Sequence, residues 1–182
     1  MPIFIFHGVG GNPQENWFPW LKQELEKLGR ETIVPQFPTP ENQTLADWLK
    51  VLEQYRDKLD SGEAILVGHS LGVPFALDVI ERFPVKAAFL VAGFTGIAGN
   101  IFDESMKTFA QRDFDWRKIR ENCPRFFVFH SDNDPYVKLE KAEELANNLK
   151  TEVIMVKDGG HLNQGAGFTS FPLLLEKIRT LL

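Results

Sequence analysis

Residues 64–83 constrain the fold of this chain more than any other stretch. Ala64-Ile65-Leu66-Val67 is an apolar run with β-branched members, Gly68-His69-Ser70-Leu71-Gly72 fits the pattern G-x-S-x-G, and Val73 to Phe83 repeats its apolar residues at helical spacing. The order is strand, sharp turn, helix. A serine at the apex of such a turn is lifted off the end of its strand with its hydroxyl exposed. Glycine is needed on both sides, because a Cβ there would meet neighbouring backbone. Ser70 is therefore a candidate nucleophile; read without chemistry, the segment is a glycine turn whose serine caps the next helix.

Strand-like and helix-like stretches alternate through the rest of the chain. Pro2–Phe6 reads as a short buried strand, and Trp17–Leu28 as an amphipathic helix with Trp17, Trp20, Leu21, Leu25 and Leu28 on one face and Gly29 as its C-cap. Thr32–Val34 reads as a second strand and Thr44–Lys58 as a helix capped by Thr44. Lys86–Val91, Arg125–Phe129 and Glu152–Val156 supply further strands, Leu139–Leu149 and Phe171–Leu181 further helices. Alternation of this kind implies a parallel sheet covered by helices on both faces, joined by right-handed crossovers. Between Gly93 and Asn122 the periodicity weakens, and glycines mix with Phe94, Phe102, Phe109, Phe114 and Trp116. A connection this long is usually functional, so residues 93–122 are read as a small cap on one domain spanning 1–182.

Composition removes several classes of function. A net charge of -5 offers no basic footprint for nucleic acid or an anionic membrane, and the longest apolar run, Ala87 to Phe94, is too short to span a bilayer. Cys123 is the only cysteine, which excludes internal disulfides and fits a reducing, cytoplasmic setting; no secretion signal is visible at the N-terminus. The loop His7-Gly8-Val9-Gly10-Gly11-Asn12 fails as a dinucleotide fingerprint, because Pro13 stands at the third glycine position, and no P-loop lysine follows. The four histidines are too scattered for a catalytic metal cluster. Neither cofactor nor metal is expected.

Ligands of open parallel sheets bind beyond the carboxyl ends of the strands. The polar residues expected there are His7 with the glycine loop, Ser70, His130-Ser131-Asp132-Asn133-Asp134, and His161 in Gly159-Gly160-His161. A serine, an acid and a histidine in the chain order Ser70, Asp134, His161 follow the order of the α/β-hydrolase arrangement, with Asp132 as the competing acid. A neutral serine hydroxyl is a poor nucleophile. His161 would take its proton and an aspartate would hold the imidazole in the correct tautomer. Two backbone N–H groups should receive the developing oxyanion, one from Leu71 and the other from Val9 or Gly10, which requires strand one beside strand three in the order 2-1-3-4-5-6. His7 and His130 are expected to hydrogen-bond loops rather than react, and His69 to pack within the elbow. Trp17, Trp20, Phe94 and Trp116 are expected to wall a substrate pocket.

The segments GHSLG, SDNDPYV and GGHLN and the opening HGVGGNPQENWFPWL resemble the small serine hydrolases related to retinoblastoma-binding protein 9 and the bacterial YdeN-type proteins. FDWRKI at 114–119 and NCP at 122–124 extend the resemblance over nearly the whole chain. It implies a compact α/β-hydrolase with triad positions Ser70, Asp134 and His161, acting on small carboxylic esters or related acyl compounds through an acyl-enzyme. The family motif sets the acid before a proline, here Pro135, which favours Asp134 over Asp132. The retinoblastoma-pocket motif L-x-C-x-E would fall at Leu59–Glu63, where Ser61 replaces the cysteine, so that partner has no support. Two other readings remain open: a protein-binding module on a hydrolase fold, and an amidase or peptidase using the same triad.

Overall fold

The computed structural model describes residues 1–182. Its strands are β1 (Ile3–Phe6), β2 (Thr32–Ile33), β3 (Ile65–His69), β4 (Ala87–Val91), β5 (Phe126–Ser131) and β6 (Val153–Val156), all parallel and ordered β2-β1-β3-β4-β5-β6 as the sequence implies. The helices are α1 (Phe18–Lys27), α2 (Leu45–Leu52), α3 (Arg56–Leu59), α4 (Gly72–Arg82), α5 (Asp103–Ala110), α6 (Trp116–Asn122), α7 (Leu139–Leu149) and α8 (Pro172–Arg179). This is the α/β-hydrolase architecture. No helix is long and apolar enough to cross a membrane.

The period-two alternation of side chains divides the core. Phe4, Phe6 and Leu66 face α4 to α7, whereas Ile3, Ile5, Ile65 and Val67 face α1 and α8. On the first face Phe37 stacks on Trp48 with centroids 4.4 Å apart, and both meet Phe75 edge-on at 5.0 and 5.2 Å. Each such ring, fully buried, contributes about 1.5–3 kcal/mol. Helix α4 runs through the centre of this face and is buried from Gly72 to Ile80. Its one buried charge, Asp78, is held by Arg82 at 2.6 Å and Arg112 at 3.0 Å.

Two segments depart from the sequence reading. The helix read over Thr44–Lys58 is interrupted by a 3-10 turn at Glu53–Tyr55, where Tyr55 leaves helical dihedrals and its ring meets Phe4 edge-on at 5.9 Å. Residues 93–122, read as a small cap, contribute two helices to the body and also carry Phe94, Asn100, Phe102 and Met106, which share a cavity with Ser70. Met106, Phe109 and Ala110 bury α5 in the core, and α6 is the crossover helix before β5. The weak periodicity has a local cause. The Asp103 carboxylate accepts the N–H groups of Ala98, Gly99 and Asn100, so a side chain rather than a repeating apolar face organises the approach to α5. Of the large apolar side chains in this stretch, Ile97 and Ile101 stand furthest out, 60% and 90% exposed.

Candidate active site

Ser70 sits between β3 and α4 with φ +54°, a left-handed conformation that costs a non-glycine residue about 1–2 kcal/mol. The surrounding backbone imposes it. The Ser70 N–H donates to Val91 O and the Ser70 carbonyl accepts from Val73 N–H, each at 2.9 Å. A Cβ at Gly68 would lie 2.5 Å from Gly72 O, and one at Gly72 would lie 2.3 Å from Phe6 O. Both glycines of the G-x-S-x-G pattern are thus required by close approach. Ser70 Oγ has no hydrogen-bond partner and opens onto a cavity of about 220 Å³.

His161 lines the same cavity. Its Nδ1 lies 2.8 Å from Asp134 Oδ2, so the proton on Nδ1 is donated to the carboxylate. Asp134 Oδ1 accepts the N–H groups of Tyr136 and Val137 at 2.8 and 3.0 Å. Burial would raise the Asp134 pKa, but the hydrogen bond and charge of His161 with those two N–H groups outweigh it, and the carboxyl titrates below its ordinary value. Asp132 is exposed and accepts Asp158 N–H at 2.7 Å, away from His161. Its neighbours act on the same loop. The Ser131 hydroxyl donates to Gly160 O, and Asn133 Oδ1 accepts Gly160 N–H at 2.7 Å. Four consecutive residues at the end of β5 therefore grip residues 158–161.

The other histidines are structural, as the sequence suggests. His69 is 3% exposed and its Nε2–H donates to His161 O at 3.0 Å; burial, with the neighbouring His161, pushes its pKa down to about 3. His7 donates from Nδ1 to Gly8 O at 2.9 Å and accepts Phe37 N–H at Nε2 at 3.1 Å, which braces the β1–α1 loop. His130 Nε2–H donates to Val137 O at 2.9 Å, beside the acid, while its Nδ1 is buried without a partner. Burial lowers the pKa of both His7 and His130.

The β1–α1 loop runs directly past the serine: a Cβ at Gly8 would lie 3.1 Å from Ser70 Cβ. The two N–H groups expected from this loop differ in their partners. Gly10 N–H is engaged, donating to Thr39 Oγ1 at 2.9 Å and to Gln43 Oε1 at 3.4 Å. Val9 N–H and Leu71 N–H have no protein acceptor. Gly10 is thus corrected to a residue that anchors the loop.

The pocket walls differ most from the sequence reading. Of the four aromatics expected there, only Phe94 lines the cavity. Trp17 is fully buried among Phe18, His69 and Phe171, and its Nε1–H donates to Leu162 O at 2.9 Å, tying α1 to the His161 loop. Trp20 is corrected to a more open groove of about 880 Å³ beside α1 and β2, which contains none of Ser70, Asp134 and His161. Trp116 packs on Phe114 at the start of α6. The apolar walls are instead Val9, Phe94, Phe102, Met106, Tyr136 and Val137, and Glu15, Asn16, Asn100 and Asn163 add polar surface. Tyr136 carried a signal, standing two residues after the acid and one after Pro135.

The family model described as "Serine hydrolase" matches residues 3–180. The YdeN protein of Bacillus subtilis (strain 168) is 31% identical over 178 residues, covering 96% of this chain and 92% of that protein. Serine hydrolase RBBP9 of Rattus norvegicus is 28% identical over 178 residues, covering 97% and 91% respectively. The crystal structure of the ydeN gene product from B. subtilis superposes with a TM-score of 0.90 at 30% identity, covering 99% of this chain and 97% of that one. Est1E from Butyrivibrio proteoclasticus shares the fold, with a TM-score of 0.73 at 16% identity.

Proposed function

The chain belongs to the serine hydrolase family, and from that premise we propose that it cleaves small carboxylic esters or related acyl compounds through a Ser70–His161–Asp134 triad. The observation that carries this reading is the pairing of a strained, uncommitted Ser70 hydroxyl with an imidazole whose Nδ1 is fixed by a buried carboxylate on the same cavity. Ser70 Oγ attacks the substrate carbonyl while His161 Nε2 accepts its proton. Asp134, kept ionised by His161 and two N–H donors, stabilises the imidazolium. The negative charge that develops on the carbonyl oxygen is received by the N–H groups of Leu71 and Val9, which are free to donate. Collapse expels the leaving group with the proton from His161 and leaves Ser70 acylated. A water, deprotonated by the same imidazole, then releases the acid. The cavity volume, below the usual range for drug-sized ligands, supports small substrates.

A fluorophosphonate probe tests this directly, because it reacts only with an activated serine. Wild type should label and hydrolyse p-nitrophenyl butyrate, whereas Ser70→Ala should not label and should fall to the residual level left by binding and the oxyanion donors. Absence of labelling in the folded wild type would overturn the reading in favour of a binding module.

A further inference from the structure

We propose that Glu15 forms an ammonium-binding subsite in the Ser70 cavity, so that the preferred substrates are small esters or acyl compounds carrying a protonated amine; this rests on the hydrolase reading of the same site. Glu15 belongs to the β1–α1 loop and is one of the residues that line the cavity with Ser70 and His161. It is half-buried, and burial holds its carboxyl above the usual range, opposed only by the backbone N–H of Asn12. Its one side-chain partner is neutral: Asn16 Nδ2–H donates to Oε1 at 3.3 Å. No lysine or arginine lines the cavity, and none pairs with Glu15.

The fully buried carboxylates are treated differently. Asp78 has Arg82 and Arg112, and Asp134 has His161. Taking a carboxylate partly out of water without a counter-charge is unfavourable, and the place where Glu15 lacks one is the cavity that Ser70 and His161 share. The sheet order separates the two sides of the cavity. Ser70 follows β3, with the Glu15 loop beyond β1 on one side and Phe94, Met106, Tyr136 and Val137 beyond β4 and β5 on the other. A small molecule with an apolar group at one end and an ammonium at the other matches that division. Packing does not by itself require the charge. Oε1 lies against Gly11, 2.6 Å from where a Cβ would be, and glutamine would fill the same space.

The test compares two isosteric inhibitors of p-nitrophenyl butyrate hydrolysis at pH 7.5, N-methylbutylammonium and methyl n-butyl ether, which differ mainly in charge. In wild type the ammonium should inhibit competitively, with a Ki about tenfold lower than that of the ether, the value of one charged hydrogen bond. In Glu15→Gln the ratio of the two constants should approach one. Because the ratio is taken within each protein, any general loss of activity cancels. A ratio near one in wild type, or a preference that survives Glu15→Gln, overturns the proposal. Ser70→Ala separates this from the underlying reading. Ester cleavage that depends on Ser70 but shows no charge preference removes only the ammonium subsite, whereas cleavage independent of Ser70 removes both.

Discussion

Replacing His69 by glutamine isolates one acid-sensitive element of the site from the rest of the molecule. The folded protein keeps the His69 imidazole neutral, because burial together with His161 pushes its pKa from 6.5 to about 3. The unfolded chain protonates the same group near its ordinary value. Between the two values the unfolded state binds more protons than the folded state, so stability rises with pH across that window. The contribution is complete above the unfolded pKa and is lost on acidification at about 1.4 kcal/mol per pH unit. By pH ~4.5 the loss from this residue alone reaches about 3 kcal/mol, a large fraction of the stability of an ordinary domain. Glutamine does not titrate, and its amide can donate to His161 O as Nε2–H does. The assay is urea unfolding followed by tryptophan fluorescence, with wild type and His69→Gln compared from pH ~7.5 to ~4.5. Wild-type minus variant stability should be flat above neutrality and fall by about 3 kcal/mol at the acid end. His7 and His130 are buried with lowered pKa values in both proteins, so they cancel in the difference. A difference that does not move with pH would mean that the folded state accommodates the charge, and would refute the reasoning.

Asp134→Asn should lower kcat by about 10⁴, the loss a serine protease shows when the imidazole adopts the wrong tautomer. Asp132→Asn should change little, because an asparagine carbonyl can still accept Asp158 N–H; equal losses in a p-nitrophenyl ester assay would reassign the acid. In a series of p-nitrophenyl esters from two to twelve carbons, kcat/KM should climb towards butyryl, each buried methylene contributing about 0.8 kcal/mol. It should then fall once the cavity of about 220 Å³ is full; a steady rise to the longest chains would contradict the small-pocket reading.

What the sequence disclosed follows from which physical signals are local. The elbow is written in five adjacent residues, because the clashes that demand Gly68 and Gly72 involve the turn itself and the strand beside it. Strand order was accessible because Ser70, the glycine loop after β1 and the residues after β5 and β6 must meet at one end of the sheet. The pocket walls were not. Aromatic character marks Trp17, Trp20 and Trp116 as residues that bury area, but not which partner they bury it against. Trp17 is aimed at Leu162, 145 positions away. Glu15 had no distinguishing signal, since a glutamate between Asn12 and Asn16 reads as a solvated loop residue until the fold sets it on the cavity.

The grip of Ser131, Asp132, Asn133 and Asp134 on residues 158–161 makes the two halves of the site unequal in how they can be lost. Ser70 and its loop are held mainly by main chain, through Val91 O and the backbone near Gly68 and Gly72. His161 and its loop depend on side chains, those of Ser131 to Asp134 at and after the end of β5 together with His69 and Trp17. Backbone supports survive most substitutions that spare the glycines, whereas side-chain supports vanish one codon at a time. Drift in this lineage therefore has a direction: the base should slip out of register first, leaving proteins that keep an intact elbow but turn over nothing. In surveys of such chains, the residues at 131–133 should distinguish working copies from retired ones better than the serine motif does.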